Sequence, residues 1–234
     1  MKKISYSFLT AVTLIGTSLA IVNTASAAEF KTTKQKYSYA IGFQIGTGLK
    51  RDNADVDVEA IKQGIQDVLA GAKTQVSMEE MQAAVMEFQK AQQAAAEAQG
   101  EKAKAAGEKF LAENKKKKGV KTLDNGLQYK VIKEGKGPKP KSTDSVVAQY
   151  KGTLIDGTEF DSSYSRGQPA TFGVNQVIKG WQEILPMMST GSKWQVFIPS
   201  DLAYGPRGAG GKIGPNETLV FDIELLEVKS GGGK

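Results

Sequence analysis

The sequence predicts an α+β protein with an all-helical N-terminal region, a long linker helix and a C-terminal antiparallel sheet covered by one short helix. Between residues 28 and 118 the apolar residues recur at helical spacing, and a capping box opens the longest run. From Val120 onward the apolar residues alternate with polar ones, which is typical of half-buried strands. Between residues 177 and 198 the period changes from helical to alternating, so a short helix must lead into a strand that packs over it.

The composition limits both the class of protein and its chemistry. The chain has 234 residues, of which 40% are hydrophobic and 24% charged, as expected for one or two soluble globular domains. It contains no histidine and no cysteine. This excludes Ser-His-Asp and Cys-His catalysis, thiol redox chemistry, disulfides and zinc sites built from those ligands.

Residues 1–27 have the pattern of a secretory signal peptide. Lys2-Lys3 form a positive start, an apolar run extends from Ile4 to Val22, and Ala25-Ser26-Ala27 is a small-residue cleavage site. A membrane anchor is the alternative, but a spanning helix needs about 20 strongly apolar residues and this run is weak. Removing both lysines leaves 29 basic and 25 acidic residues, a net charge of +4, which is too small to indicate nucleic-acid binding.

Two short helices are predicted in the next segment, residues 28–75. The first covers Tyr37 to Lys50, and the second begins after Asp57 as N-cap and ends at Gly71. Their apolar positions are Tyr37, Ile41, Ile45 and Leu49, then Val58, Ile61, Ile65, Val68 and Leu69, with Gly42, Gly46 and Gly48 close to the first face. Isolated helices of this length are marginal in water. We therefore expect them to pair with a second copy of the chain; the alternative is that they dock on the C-terminal domain.

The linker helix, residues 76–118, begins at the capping box Ser77-Met78-Glu79-Glu80, with Val76 and Met81 placed as a hydrophobic staple. It continues to the basic run Lys115 to Lys118, which complements the charge of a helix C-terminus. About 41 residues span roughly 60 Å.

The middle of this helix, from Gln89 to Gly107, is composed mainly of Ala, Gln, Glu and Lys and is predicted to be a solvated strut. Gly100 and Gly107 weaken the helix, so bending is expected there.

The C-terminal sheet is predicted from alternating apolar residues, with a tight hairpin at Asp156-Gly157. The alternating sets are Leu127, Tyr129 and Val131; Val146, Ala148 and Tyr150; Trp194, Val196 and Ile198; and Leu219, Phe221, Ile223 and Leu225. Pro186 should kink or end the short helix. The Gly- and Pro-rich stretch from Pro199 to Pro215 is too long for a hairpin turn, which indicates a functional loop, and it lacks a phosphate-binding pattern. From spacing alone, Trp181 and Tyr204 are interpreted as core aromatics.

A set of short motifs in this region resembles the FKBP-type peptidyl-prolyl cis/trans isomerases. The motifs are Tyr150-Lys151-Gly152-Thr153-Leu154, Asp156-Gly157, Phe160-Asp161-Ser162-Ser163, Val177-Ile178-x-Gly180-Trp181, Met188-x-x-Gly191, Ala203-Tyr204-Gly205 and Thr218-Leu219-Val220-Phe221. The resemblance covers about residues 120 to 228. The signal peptide and the three helices are similar to those of the Mip and FkpA branch, which consists of homodimeric proteins of Gram-negative envelopes.

The resemblance implies that residues 119–234 form an antiparallel half-barrel wrapped on a short helix, with a proline pocket. Its catalytic residues are expected to be Tyr150, Phe160, Asp161, Tyr204 and Phe221, and its substrate-binding residues Phe172, Val177, Ile178 and Trp181. Trp181 is expected to form the floor, while the Ile178 N–H and the Tyr204 hydroxyl bind the substrate. Ala170 and Ala209 depart from the family pattern, so the pocket is expected to be more open on that side.

The implied chemistry suits a chain without histidine or cysteine. Rotation of an X-Pro bond requires no nucleophile, because its barrier of about 18 to 20 kcal/mol comes from amide resonance. A water-excluding apolar pocket favours the twisted, less polar transition state. Asp161 has three interpretations: a turn-capping carboxylate, an orienter of Tyr or Arg side chains around the pocket, or an electrostatic partner of the rotating carbonyl.

The expected function is therefore isomerisation of X-Pro bonds during folding of envelope proteins, with chaperone activity arising from the dimer. The alternative is a non-catalytic holdase that uses the proline pocket only for binding. The expected partners are unfolded or proline-containing polypeptides, macrolide-type inhibitors and a second copy of the chain, without nucleic acid, metal or cofactor. The expected location is the periplasm, either free or associated with the outer membrane.

Overall fold

The computed structural model describes residues 30–51 and 54–230. It contains four α-helices and seven strands in these ranges, and the α+β class is confirmed. The helices are α1 (Thr33–Arg51), α2 (Val58–Ala70), α3 (Met78–Asn114) and α4 (Lys179–Ile184). The strands are β1 (Val120–Thr122), β2 (Gln128–Lys133), β3 (Ser145–Leu154), β4 (Glu159–Ser162), β5 (Ala170–Gly173), β6 (Lys193–Ile198) and β7 (Leu219–Lys229). The predicted signal peptide, residues 1–27, lies outside the described residues.

The chain divides into two compact units, one ending at Gly48 and the other beginning at Leu49. In the first unit, α1 begins at Thr33, four residues before the predicted start. The reason is local capping, because the Thr32 hydroxyl accepts a hydrogen bond from the Gln35 N–H at 3.2 Å. The helix also carries an aromatic row, in which the ring of Tyr39 lies 4.9 Å from Phe30 and 6.3 Å from Phe43.

The second unit starts with the end of α1 and with α2, whose predicted boundaries are confirmed. The Asp57 carboxylate accepts a hydrogen bond from the Ala60 N–H, and Gly71 ends the helix in the left-handed conformation at φ 63°. No residue of α1 or α2 is buried within the chain. The exposed apolar side chains include Ile41, Ile45, Ile65, Val68 and Leu69.

The linker helix α3 starts as predicted, because both reciprocal bonds of the capping box between Ser77 and Glu80 are present. It ends at Asn114, four residues before the predicted end, after 37 residues or about 55 Å. The prediction of a solvated strut as far as Gly107 is wrong for one face of the helix, because Gly100 and Gly107 are buried, as is Asn114 at the helix end. The helix continues through both glycines, where the missing side chains allow other segments of the chain to come close.

The seven strands form one open sheet in which every pairing is antiparallel. The order is β1-β2-β6-β7-β3-β4, and β5 pairs with the first half of β3 while β4 pairs with the second half. The predicted hairpin between β3 and β4 is confirmed: Gly157 has φ 91°, and the Asp156 side chain accepts a hydrogen bond from the Thr158 N–H at 2.8 Å.

The core lies between one face of this sheet and α4. The predicted alternating residues are buried there, except Val131, which is partly buried, and Trp181, Ile184 and Met188 are buried with them. A Cβ atom at Gly180 would lie 2.6 Å from the side chain of Ile198, so α4 and β6 approach closely, as the change of period between them predicted. Helix α4 ends at Ile184 and a 3₁₀ turn, Leu185–Met187, follows, because Pro186 cannot continue the α-helical hydrogen bonds.

Within residues 30–51 and 54–230, no helix is both long enough and apolar enough to cross a membrane.

Candidate functional site

A cavity of about 420 Å³ is lined by residues of β3, β4, β5 and β7, the start of α4 with the residues before it, and Tyr204. Its lining contains all nine side chains that were predicted to form the site, and one further residue, Gln176. The lining residues are Tyr150, Phe160, Asp161, Phe172, Gln176, Val177, Ile178, Trp181, Tyr204 and Phe221. Residues from six separate segments of the chain thus meet at one pocket.

The sheet brings these side chains together through its register. In β3, Gly152 lies opposite Asp161 of β4 and opposite Phe221 of β7. A Cβ atom at Gly152 would lie 2.6 Å from the ring of Phe160 and 2.8 Å from that of Phe221. Glycine is therefore needed at this position, because both rings rest against its backbone.

The apolar part of the pocket is a cage of aromatic rings in edge-to-face contact. The ring of Trp181 lies 5.4 Å from Tyr150, 5.4 Å from Phe172 and 5.3 Å from Phe221, with interplanar angles between 76° and 90°. Phe160 meets Phe221 at 5.5 Å and 82°. Edge-to-face pairs of this kind are favourable beyond the area they bury, so the cage is pre-formed.

The interpretation of Trp181 as a core residue is confirmed, and the same side chain also lines the pocket. It is only 3% exposed, yet it belongs to the cavity wall. Its Nε1–H has no hydrogen-bond partner among residues 30–51 and 54–230. The floor of the pocket thus contains one unsatisfied donor in otherwise apolar surroundings.

The interpretation of Tyr204 as a core residue is wrong, because 41% of its surface is exposed. It lies between two short 3₁₀ turns, Ser200–Leu202 and Gly205–Arg207, in the Gly-rich loop that was predicted to be functional. Partial burial and, secondarily, the negative charge of Asp161 raise the pKa of its hydroxyl. The hydroxyl is therefore protonated and able to donate at neutral pH.

The polar rim of the pocket is a triangle formed by Asp161, Tyr150 and Arg166. The Asp161 carboxylate accepts hydrogen bonds from the Tyr150 hydroxyl and from Arg166 Nη1. Arg166 Nη2 donates to the Tyr150 hydroxyl at 2.7 Å, and its guanidinium lies over the Tyr150 ring at 5.4 Å. The interpretation of Asp161 as a turn cap is wrong, because the residue lies within β4 and its carboxylate bonds these two side chains.

These contacts set the charge state of the rim. Burial, the largest influence, acts to raise the pKa of Asp161, but the hydrogen bonds from Tyr150 and Arg166 and the charge of Arg166 together hold it below its usual range. Burial and the bond to Asp161 raise the pKa of Tyr150. At neutral pH the rim therefore contains a carboxylate, a neutral phenol and a guanidinium.

Two family descriptions match this chain. Residues 34–131 match the domain amino terminal to FKBP-type peptidyl-prolyl isomerase, and residues 137–226 match the FKBP-type peptidyl-prolyl cis-trans isomerase domain. The peptidyl-prolyl cis-trans isomerase Mip of Coxiella burnetii is 47% identical over 98% of this chain and 99% of its own length.

The chain belongs to the FKBP-type peptidyl-prolyl cis-trans isomerases. The outer membrane protein MIP of Legionella longbeachae is 45% identical over 87% of this chain and 89% of its own length. The crystal structure of FkpA from Escherichia coli is similar with a TM-score of 0.65 at 41% identity, covering 87% of this chain and all of that chain. The predicted resemblance to the Mip and FkpA branch is thereby confirmed.

Two polar residues at this FKBP-type site were not predicted: Gln176, which lines the cavity, and Arg166, which lies outside the lining and is bonded to Tyr150 and Asp161. Arg166 lies in the turn after β4, and no sequence pattern predicts that its side chain reaches back to Tyr150. The one indication was that the partly buried carboxylate of Asp161 needs a cation nearby. Gln176 lies just before Val177 in a 3₁₀ turn and packs against Gly173. No periodicity singles it out.

The two departures from the FKBP-type pattern lie away from the cavity wall. Ala170 is opposite Ala148 in the pairing of β5 with β3. Ala209 forms a β-bridge with Ile213, with mutual backbone hydrogen bonds of 2.8 and 3.1 Å. Neither lines the cavity, so the expectation of a more open pocket on that side stays a prediction.

We expect kcat/KM for a short proline peptide to be constant between about pH 5 and 8. The pKa of Asp161 is depressed, so its charge persists below the ordinary value of about 3.9. The raised values of Tyr150 and Tyr204 keep both phenols neutral to above about pH 10. Activity should fall only as the pH drops through the pKa of Asp161. Exchange spectroscopy by NMR measures this without a coupling protease, and a transition centred between pH 5 and 8 would contradict the assignment.

Proposed function

We propose that the aromatic cavity is the site where this chain isomerises X-Pro bonds of proteins that fold in the bacterial periplasm. The observation that carries the proposal is the convergence on one pocket of about 420 Å³ of all nine side chains that the family resemblance implied. This volume lies near the lower end of the roughly 300 to 1,000 Å³ of small-molecule pockets, so the cavity has room for a proline ring with its neighbouring residue.

The cage lowers the barrier by favouring the twisted peptide over the planar one. The twisted X-Pro bond has lost amide resonance and its carbonyl is less polar, so it is better suited to a cavity that excludes water. Trp181 and Phe221, which are 3% and 5% exposed, form walls that hold the proline ring without hydrating it. The difference in fit between the two states is what accelerates the reaction.

Two donors are placed to hold the substrate chain. The Ile178 N–H lies at the entrance to α4, where the residue acts as N-cap, and the Tyr204 hydroxyl lies on the opposite loop. Val177, next to Ile178, is held by a 2.7 Å bond from Gln182 Nε2 to its carbonyl. These groups bind the substrate in both its planar and twisted states and so contribute to affinity.

Asp161 has the geometry of an orienting residue. Its bond to the Tyr150 hydroxyl fixes the ring that meets both Phe172 and Trp181 edge-on. An electrostatic effect of the same carboxylate on the rotating carbonyl is the second interpretation, and it is compatible with the first.

We further propose that residues 28–75 form a homodimer, residues 76–118 link it to the pocket, and residues 119–234 form the isomerase domain. Support comes from the open apolar faces of α1 and α2, in which Ile41 is 53% and Ile65 47% exposed. A Cβ atom at Gly42, Gly46 or Gly48 would meet nothing within 4 Å, so a partner backbone has room to approach.

The periplasmic location is supported by the predicted signal peptide and by the relative in Legionella longbeachae that is named an outer membrane protein. A free periplasmic chain and a chain associated with the outer membrane are both compatible with these two observations.

Chaperone activity is the second candidate function. The start of α3 exposes a flexible apolar surface, formed by Met78, Val85, Met86 and Phe88, which are 65, 54, 70 and 41% exposed. Methionine-rich surfaces adapt to many partners. A dimer with two pockets and such surfaces can hold an unfolded client while its prolines are isomerised.

The wild-type chain should accelerate cis/trans exchange of a short X-Pro peptide, and a macrolide-type inhibitor should abolish the acceleration. This measurement separates the enzyme from the non-catalytic holdase, because a holdase would bind the peptide without changing its exchange rate. Uncatalysed exchange takes tens to hundreds of seconds, so even weak catalysis is visible. Exchange at the uncatalysed rate with peptide bound would assign the chain to the holdase class.

A further inference from the structure

The second half of α3 packs directly on residues 215–218, at the end of the Gly-rich loop that follows Tyr204. A Cβ atom at Gly100 would lie 3.0 Å from Pro215 Cβ and 3.0 Å from Asn216 Nδ2. One at Gly107 would lie 2.2 Å from Thr218 Oγ1. A Cβ atom at Gly107 would force Thr218 to shift, and one at Gly100 would press tightly on Pro215 and Asn216, so the two glycines allow the helix and the segment to pack closely.

The contact is fixed at its far end by buried amides. Asn114 and Gln128 are 1% and 3% exposed, and Asn114 Nδ2 donates to Gln128 Oε1 at 3.0 Å. Gln128 Nε2 in turn donates to the Leu111 carbonyl at 2.9 Å, while the rings of Phe110 and Phe197 meet at 5.9 Å. Buried and mutually bonded amides specify one register of the helix on the sheet.

Asn216 also closes the loop that follows Tyr204, residues 205–217, which we call the pocket loop. The Asn216 N–H donates to the Gly205 carbonyl at 2.9 Å, and Gly205 follows Tyr204 directly. Asn216 has φ 57°, in the left-handed region, so its backbone is held in an unusual conformation at the closure. Asn216 therefore contributes both the side chain that touches α3 and the N–H that closes the loop.

We propose, on the basis of the proposed isomerase function, that α3 is a back support for the pocket loop and that Asn216 and Gly100 are positioning residues for Tyr204. A glycine-rich loop with few apolar contacts opens locally at low cost. A helix docked behind Asn216 keeps the Gly205 bond closed and the Tyr204 hydroxyl in place. The linker thereby contributes to substrate affinity as well as connecting the two parts of the chain.

Gly100→Leu in the full-length chain tests this support, with Ala98→Leu as the matched control. Both changes add the same side chain to α3, but Ala98 is exposed and Gly100 faces the loop. We expect Gly100→Leu to raise KM for a short proline peptide and the Kd of a macrolide-type inhibitor about fivefold, with kcat nearly unchanged. Hydrogen exchange at the Asn216 amide should be faster, and Ala98→Leu should match the wild type.

A merely structural role predicts a different pattern. Partial unfolding would lower the active fraction and therefore the apparent kcat, leaving KM and the inhibitor Kd unchanged. Asn216→Gly provides a second variant that should fold normally, since glycine accepts the positive φ and keeps the N–H. We expect Asn216→Gly to raise KM about threefold. Adding Gly100→Leu to it should raise KM little further, because both changes act through the same contact.

Wild-type KM and inhibitor Kd in both variants would overturn the proposal while the isomerase function stands. An inactive wild-type chain would instead overturn the proposed function itself, so the two failures are distinguishable.

Discussion

Replacing Phe221 by alanine lowers kcat/KM for a short proline peptide at least about tenfold, which corresponds to roughly 1.4 kcal/mol of lost transition-state stabilisation. The ring of Phe221 meets Trp181 at 5.3 Å and Phe160 at 5.5 Å, so its removal opens two sides of the aromatic cage. Water then reaches the site where the less polar twisted peptide is favoured. Protease-coupled or NMR assays of the peptide measure the loss.

Asp161→Leu should produce a loss of the same order with the fold preserved. The change removes the acceptor of the Tyr150 hydroxyl and the partner of Arg166, while circular dichroism should remain nearly unchanged. Tyr150→Phe tests whether the carboxylate acts through the phenol. If it does, the double variant should lose hardly more than Asp161→Leu alone, because the two groups form one unit.

Matched controls separate the pocket from general stability. Leu225→Ala truncates a fully buried side chain on the same strand as Phe221 but outside the cavity. It should cost about 2 to 5 kcal/mol of unfolding free energy and leave kcat/KM unchanged well below the melting temperature. Asp222→Leu is the control for Asp161→Leu: it removes a carboxylate next to Phe221 from a residue that does not line the pocket. Wild-type kcat/KM in both Phe221→Ala and Asp161→Leu would show that the pocket assignment is wrong.

Deletion of residues 28–75 should convert the dimer to a monomer in light scattering. The deletion removes α1 and α2, whose apolar side chains are exposed within the single chain and are proposed to pair with a second copy. It keeps the capping box of Ser77 and Glu80, so α3 retains its own start.

The same truncation should affect small and large substrates differently. Turnover of a short proline peptide should stay within a factor of about two, because α3 and the pocket loop it supports are retained and the deleted sites are distant. Refolding of a large client should fall much more. The exposed part of α3, residues 78–99, spans roughly 33 Å at about 1.5 Å per residue, so two pockets in one dimer can engage a client at two points.

Equal losses for the peptide and the large client would refute this two-armed arrangement. A truncation that remained dimeric would place the interface outside residues 28–75. The matched control is the full-length chain with Phe221→Ala, which keeps α1 and α2. This variant should stay dimeric and lose peptide turnover instead.

The amino-acid sequence by itself determined the features that depend on neighbouring residues. The ends of α2 at Asp57 and Gly71 and the start of α3 at Ser77 were predicted because capping requires residue types only three or four positions apart. The strands with alternating apolar residues were predicted because alternation is a local pattern. Eight of the nine pocket residues stand in short motifs that occur together in the FKBP-type family, and Phe172 followed from the same resemblance.

Only the tertiary structure decided the features that join distant segments. Gly100 and Gly107 are the contact of α3 with Asn216 and Thr218, more than a hundred positions away, and bending at these glycines stays a prediction. Arg166 entered the site because the fold brings its exposed turn back to Tyr150. Tyr204 is 41% exposed, and the loop that follows it is closed by the hydrogen bond from the Asn216 N–H to the Gly205 carbonyl. Neither a period nor a cap encodes such contacts, since their energy depends on surfaces that exist only once the sheet and the helix are packed.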